Sequence, residues 1–333
     1  MKAHATFAAD FDPKAAKLTH DWQHNARLLC CRVDPTGRFV VAGGIDYCIQ
    51  RWDVTNGTKV TLTGHDNWVR TLSFSPDGAV LYSGGYDGRL IAWDIGSEMP
   101  QPVRSIHAHQ GWLRGLAVSP DGQRVATCGN DRLLKVWNTA DGQLIQELAG
   151  HSSIPYCVLF VPGSQEIVSG DITGNIHHWR IDNAQLVRKF DASEIHNLIG
   201  DLAPFGGIIN LAFSPDGKRL TASGLHKTSN APAGNRRAVA LSFLWASGEK
   251  LPKQESIKKE LDATMWRAQY HPSGMMLGIV AKEIGFWNQA EEDAFHLVET
   301  PSDIFDFDLH PNQLDLYTAH FDGHVRCHHL SAN

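Results

Sequence analysis

The feature that most constrains this 333-residue chain is a turn that recurs along its whole length. It stands at Asp34-Pro35-Thr36-Gly37, Ser75–Gly78, Ser119–Gly122, Val161-Pro162-Gly163-Ser164, Ser214–Gly217, His271-Pro272-Ser273-Gly274 and His310-Pro311-Asn312-Gln313. Two residues before each proline is an apolar side chain: Val33, Phe74, Val118, Phe160, Phe213, Tyr270 and Leu309. A tryptophan follows in six units, at Trp52, Trp93, Trp137, Trp179, Trp245 and Trp287, and His328 holds that register in the seventh. Two independent markers shared by seven units define a repeat. That overrides the length-based expectation of two or three domains and predicts one domain over residues 1–333.

The unit is clearest at Gly64–Asp94, GHDNWVRTLSFSPDGAVLYSGGYDGRLIAWD. Pro, Asp and Gly at successive places of Ser75–Gly78 are the chemistry of a tight type I turn. Alternating apolar residues flank it, Leu72/Phe74 before and Val80/Tyr82 after, which predicts a hairpin. A second break at Gly84–Gly88 precedes a third strand at Arg89–Trp93. A fourth is expected near Val103–Ile106, with a clearer counterpart at Thr58–Leu62 in the preceding unit. Four short antiparallel strands per unit make one blade, and seven units make an all-β, seven-bladed β-propeller.

Four polar residues recur within a blade. A His ring between a carboxylate and a hydroxyl, with the hydroxyl also meeting an indole N–H, satisfies every polar group in such a set. The set is complete at His65, Ser83, Asp87 and Trp93, and again at His109, Thr127, Asp131 and Trp137. In this the chain resembles the WD-repeat (WD40) family, whose blades carry that tetrad. The resemblance implies a structural role for His/Ser/Asp sets that otherwise look catalytic.

Other blades depart from the pattern. Blade one has Asp46 and Trp52, but Ala42 at the hydroxyl place and either His24 or His20 as its histidine. Blade four has His151, Ser169 and Trp179, with Thr173 at the Asp place. Blades five and six show Pro204 and Leu261 where the histidine belongs. Blade five also carries extra residues, assigned to a polar, basic loop over Leu225–Arg237, and Asp191–Gly207 reads as a short helix or lid. Five residues after His328 cannot supply a fourth strand, and an open ring would leave edges unpaired. The closing strand is therefore expected from residues 1–20, centred on Ala15–Thr19.

Composition narrows the function classes. Net charge is −6, with 30 Lys+Arg against 36 Asp+Glu, which argues against a surface coated for nucleic acid or anionic membrane. Six cysteines without CxxC spacing read as reduced core residues of an intracellular protein, cytoplasmic by default with the nucleus open. No apolar run approaches the ~18 residues of a membrane span. There is no Gly-rich phosphate loop, and the Gly-Gly pairs ending second strands suggest a need for positive φ. Histidine is abundant, but His177-His178, His324, His328 and His329 show no converging set of three or four ligands, so no metal and no cofactor is expected.

Function is expected on the face formed by the loops before first strands and between second and third strands. Register puts Trp68 and Arg70 there from blade two, Trp112 and Arg114 from blade three and Tyr156 from blade four. Trp266 and Arg267 come from blade six, Phe305 from blade seven, Arg27 and Leu29 from blade one. The second loop set adds Asp46/Tyr47, Tyr86, Asn130, Lys282/Glu283 and His320/Phe321. Trp, Tyr and Arg dominate binding hot spots because they join large area to a polar handle. The family resemblance implies that this face receives peptides or partner proteins. The expectation is a non-catalytic, monomeric scaffold within a larger complex. Two alternatives are a nucleic-acid or chromatin-associated propeller using Arg27, Arg70, Arg114, Arg267 and the Lys227/Arg236/Arg237 loop, and an enzyme whose channel mouth carries Asp46, Asp303, Asp306 and His320.

Overall fold

A computed structural model describes residues 10–197, 205–226, 237–255, 263–288, 291 and 293–332. Seven antiparallel sheets follow one another along the chain, and the innermost strand of each packs on that of the next, the seventh on the first. The architecture is a seven-bladed β-propeller. The innermost strands are Leu28–Val33, Val69–Phe74, Leu113–Val118, Pro155–Phe160, Phe205–Phe213, Met265–Tyr270 and Ile304–Leu309. Blade five departs from four strands: the two-residue strand His196–Asn197 adds to the start of its inner strand.

The recurrent turn works through one repeated bond set. In blade two, Gly78 N–H donates to Ser75 O at 2.9 Å, Val80 N–H to Ser75 Oγ at 2.9 Å and Ala79 N–H to Asp77 Oδ1 at 3.1 Å. The pairs Ser119/Asp121 and Ser214/Asp216 repeat it. Blade one begins its turn with Asp34, whose carboxylate takes both the Thr36 and Phe39 N–H groups. Blades six and seven use His271 and His310, each accepting at Nδ1 from the N–H two residues on.

The Gly-Gly pairs are needed for a different reason than backbone sign. Gly43, Gly44, Gly84 and Gly85 are not among the positive-φ residues. A Cβ at Gly84 would overlap Leu113 of blade three, and one at Gly43 would lie 2.6 Å from Val69 of blade two. Gly43 and Gly84 let the next blade's inner strand approach, whereas Gly44 and Gly85 face polar groups of their own blade. The core itself is a series of inter-blade clusters rather than one central mass, with Trp52, Trp93, Trp179 and Trp287 fully buried in it.

The ring closes through Lys17–Gln23, which pairs antiparallel with His324–His329 as the outer strand of blade seven. The closing strand thus lies a little later than Ala15–Thr19, because Pro13–Ala15 is a 3₁₀ turn capped by Asp12. Residues 1–9 are outside the described residues. Trp22 stacks between Trp52 and Tyr317, at ring-centroid distances of 6.1 and 5.9 Å, and Asp21 pairs with His324 at 2.5 Å and Arg326 at 3.3 Å.

In blade five the second and third strands extend to His226 and from Arg237, with Leu225 opposite Ala238. Leu225, His226 and Arg237 therefore belong to strands, and the rest of the expected loop lies outside the described residues. Trp245 also stands outside the tryptophan register. Leu220 faces Phe243 as Leu81 faces Trp93, so Phe243 fills the core place. Trp245 sits two residues on, packed on Phe190, Phe213 and His178. The stretch Asp191–Gly207 holds a 3₁₀ turn at Ser193–Ile195. Pro204 and Leu261 lie outside the described residues.

Candidate functional site

The polar sets of blades two and three must be placed first, since they decide whether chemistry is at issue. His65 Nδ1 lies 2.9 Å from Asp87 Oδ2 and Nε2 lies 2.7 Å from Ser83 Oγ, while Trp93 Nε1–H donates to that oxygen at 2.8 Å. The ionised Asp87 can only accept, so His65 carries a proton on Nδ1 facing it, and the Ser83 hydroxyl accepts from the indole while bonding to Nε2. His109, Thr127, Asp131 and Trp137 repeat the arrangement at 2.8–2.9 Å. Burial works to raise the Asp87 and Asp131 carboxyls, yet the histidine hydrogen bonds hold both below the usual range. Ser83 and Thr127 are wholly buried, so no substrate reaches either hydroxyl.

Blade four contains the same network with one part moved. His151 bonds to Ser169 at 2.7 Å and to Asp171 at 2.9 Å, and Trp179 donates to Ser169 at 2.9 Å. The carboxylate is Asp171, not a residue at the Thr173 place. Asp171 stands where blade two has Gly85, and a Cβ on Gly85 would point at His65 Nδ1 and Asp87 Oδ1, 2.7 Å from each. The backbone already aims that position at the histidine. Asp171 also gathers Thr173 and Asn175 and is held down to about 2, against its burial, chiefly by the hydrogen bond from His151. In blade one the histidine is His24, bonded to Asp46 at 2.8 Å, rather than His20. In blade seven Thr318 bonds to His320 at 2.8 Å, and His328 is buried with Nε2 unpartnered.

The channel side is built differently. In all seven blades the inner strand carries a register shift at its first turn of pairing, a β-bulge. The residues left out of register are Leu29, Arg70, Arg114, Tyr156, Ile209, Trp266 and Phe305. A bulge re-aims a side chain that regular pairing would place on a sheet face. All but Leu29 line a central cavity of about 500 Å³. In five blades the same end is tied together by one backbone bond, Ile45 N–H to Arg27 O, Tyr86 N–H to Trp68 O, Asn130 N–H to Trp112 O, Ile172 N–H to Ile154 O and Phe321 N–H to Asp303 O. The two loop sets therefore form a single face.

On that face Trp68, Tyr86 and Trp112 form a continuous stack. Centroids lie 5.7 Å apart for Trp68–Tyr86 and 4.2 Å for Tyr86–Trp112, the latter pair nearly parallel. Trp68 and Trp112 remain 41% and 40% exposed, so the stack is open to solvent on its outer side. Arg114 sits over Trp112 and Tyr156 at 4.4 Å each and is held by Asn130 Oδ1 at 2.8 Å and Tyr86 Oη at 3.0 Å. A second arc runs Trp266–Phe305–Phe321, with centroid spacings of 5.5 and 6.1 Å, and Arg27 lies over Phe321 at 3.8 Å. Arg70 makes no hydrogen bond or ion pair among the described residues.

Deeper in the channel, Arg32 pairs with Asp306 at 2.7 Å, and Arg267 approaches Asp306 and Asp308 at 3.4 and 3.7 Å. Cys31 and Val33 N–H groups donate to these carboxylates at 3.0 Å, stitching blade seven to blade one. Burial favours a protonated Asp306, but the two guanidiniums keep it below the usual carboxylate range. Asp306 is thus spent on structure, Asp46 faces His24, and His320 is buried against Thr318 and Ser302. These groups do not converge. Among the described residues no group of three or more His, Cys, Asp or Glu is arranged to hold a metal. All six cysteines are free thiols, and burial pushes Cys30 and Cys157 up to about 12. Among the described residues no helix is long and apolar enough to cross a membrane.

A ring of seven such blades, fixed by tetrads and displaying an aromatic and cationic mouth, defines a repeat-built propeller. The family described as "WD domain, G-beta repeat" matches at residues 16–53, 57–94, 100–138 and 142–180, so WD40 repeats are recognised in four consecutive segments of the chain. Nuclear distribution protein nudF 2 of Aspergillus clavatus is 42% identical over 67 residues, 20% of this chain and 15% of that protein. An uncharacterized WD repeat-containing protein of Schizosaccharomyces pombe is 29% identical over 153 residues, 43% of this chain and 42% of its own length. A U3 snoRNP-associated protein-like sequence of Arabidopsis thaliana is 36% identical over 81 residues, 23% of this chain and 17% of that protein. The chain spans less than half the length of each of these relatives.

Proposed function

We propose that the protein is a non-catalytic docking scaffold whose partner, a protein or peptide, seats on the bulge-bearing face. The contacts would come from Trp68, Tyr86 and Trp112 outside and from Arg70, Arg114, Tyr156, Trp266 and Phe305 at the mouth. The observation that carries this reading is the half-exposed Trp68–Tyr86–Trp112 stack. Three rings pre-stacked by the fold lose little side-chain freedom on binding, which is where an aromatic anchor gains over a flexible one. Interaction scaffolding is typical of the family. The wholly buried hydroxyls of the three complete networks, Ser83, Thr127 and Ser169, argue against acyl-transfer chemistry. Free buried thiols fit an intracellular protein, with the cytoplasm the proposed compartment and the nucleus open. The propeller is proposed to act as a monomer inside a larger assembly.

The test is quantitative recovery of associated proteins from cell extract with wild type and with the Trp68→Ala/Trp112→Ala double variant. Partners should fall about tenfold or more while melting is little changed, as for exposed hot-spot residues. An identical partner set at undiminished yield would remove the face from the binding role.

A further inference from the structure

The bulge ring is polar in one direction. Blades two and three contribute Arg70 and Arg114, neighbours in the ring, while blades four to seven contribute Tyr156, Ile209, Trp266 and Phe305. Four guanidiniums line the cavity, Arg32, Arg70, Arg114 and Arg267, against one lining carboxylate, Asp306. Arg32 and Arg267 are accounted for by Asp306 and by Asp308 beside it. Arg114 is gripped only by neutral oxygens, Asn130 Oδ1 and Tyr86 Oη, which fix its plane without cancelling its charge. Arg70 forms no ion pair among the described residues. A chain of net charge −6 thus keeps two cations without ion-pair partners on adjacent blades, both lining a walled channel where fields are focused.

We propose that this half of the mouth is an oxyanion site, taking an acidic side chain of the docked peptide, a carboxylate or a phosphate ester, between Arg70 and Arg114. An apolar residue of the same peptide lies across the mouth on Trp266 and Phe305. Both unneutralised guanidiniums are half-buried, one is preorganised by two hydrogen bonds and three rings, and both sit on backbone bulges that turn them toward the channel. Guanidinium forks match planar and tetrahedral oxyanions alike. The proposal rests on the docking reading above and specifies its chemistry.

The test is selection of short random peptides displayed on phage against the full chain. The best binder is then synthesised in four forms at its acidic position: as found, as the corresponding amide, as phosphoserine and as lysine. Enrichment of acidic residues, about tenfold weaker binding of the amide form, and loss of that discrimination in Arg70→Gln with unchanged melting are expected. Tighter binding of the phosphoserine form assigns the site to phosphate esters, weaker binding to carboxylates. Enriched peptides without acidic residues, or discrimination that survives Arg70→Gln, overturn the oxyanion site and leave docking intact. Enrichment unaffected by Trp68→Ala/Trp112→Ala overturns the docking role of the aromatic stack, and no enrichment overturns both.

Discussion

At the scale of single residues, the tetrads show a function for chemistry-like triads that is purely architectural. His151 solves the same bonding problem as His65 with a carboxylate two positions earlier, and this gives a direct test. Asp87→Thr alone should cost about 1–3 kcal/mol by stranding His65 Nδ1 in a buried place. Adding Gly85→Asp copies blade four, and thermal melts should show most of that loss restored. Acid sensitivity belongs to this scale too. Burial holds His177, His320 and His328 each down to about 4, so the folded state keeps them neutral where the unfolded chain protonates near the ordinary value of 6.5. Their contribution is whole above pH 6.5 and is lost as pH falls towards 4. His328→Phe removes one such group and its unpartnered Nε2, so its melting temperature should fall less steeply between pH 6.5 and 4.5 than that of wild type.

At the scale of elements, much was legible because each feature is enforced locally. The turns are written in Ser, Pro, Asp and Gly, and in blades one to four a buried tryptophan follows the turn proline by 17 residues. What escaped the sequence was whatever depends on a neighbouring blade. Asp171 was hidden because Thr173 stood in register, although an Asp at a position that is glycine in blades one to three was a usable signal. Phe243 took the place expected for Trp245 because the pairing after the blade-five insertion runs two residues earlier than the spacing suggested. The bulges were invisible because bulging leaves no residue signature in Arg70, Tyr156 or Ile209, so which side chains share the face was legible and their turn into the channel was not. Gly88 illustrates inter-blade constraint at one turn. It has φ of +76°, and a Cβ there would collide with His109 O of the next blade. Gly88→Ala should cost more than the ~1 kcal/mol of an ordinary strained glycine, read as a lower denaturant midpoint with unchanged slope.

At the scale of the whole molecule, the ring is held shut by one strand and one charged seam. Lys17–Gln23 pairs with the last strand, and Asp306 and Asp308 bind the blade-one backbone from inside. Removing residues 1–23 should expose the edge of His324–His329 and give insoluble or protease-sensitive protein, and a truncated chain that melts like the full one would contradict closure by this segment. The rigid disc matters because it offers the same aromatic and cationic face without rearrangement. The most direct measurement of that claim is site-specific photo-crosslinking in cell extract, with a photoreactive phenylalanine placed at Trp112 on the bulged end, at Asp77 on the opposite end, or at Val103 on the rim. The account predicts partner adducts from Trp112 and none from the other two; adducts confined to Asp77 or Val103 would contradict it.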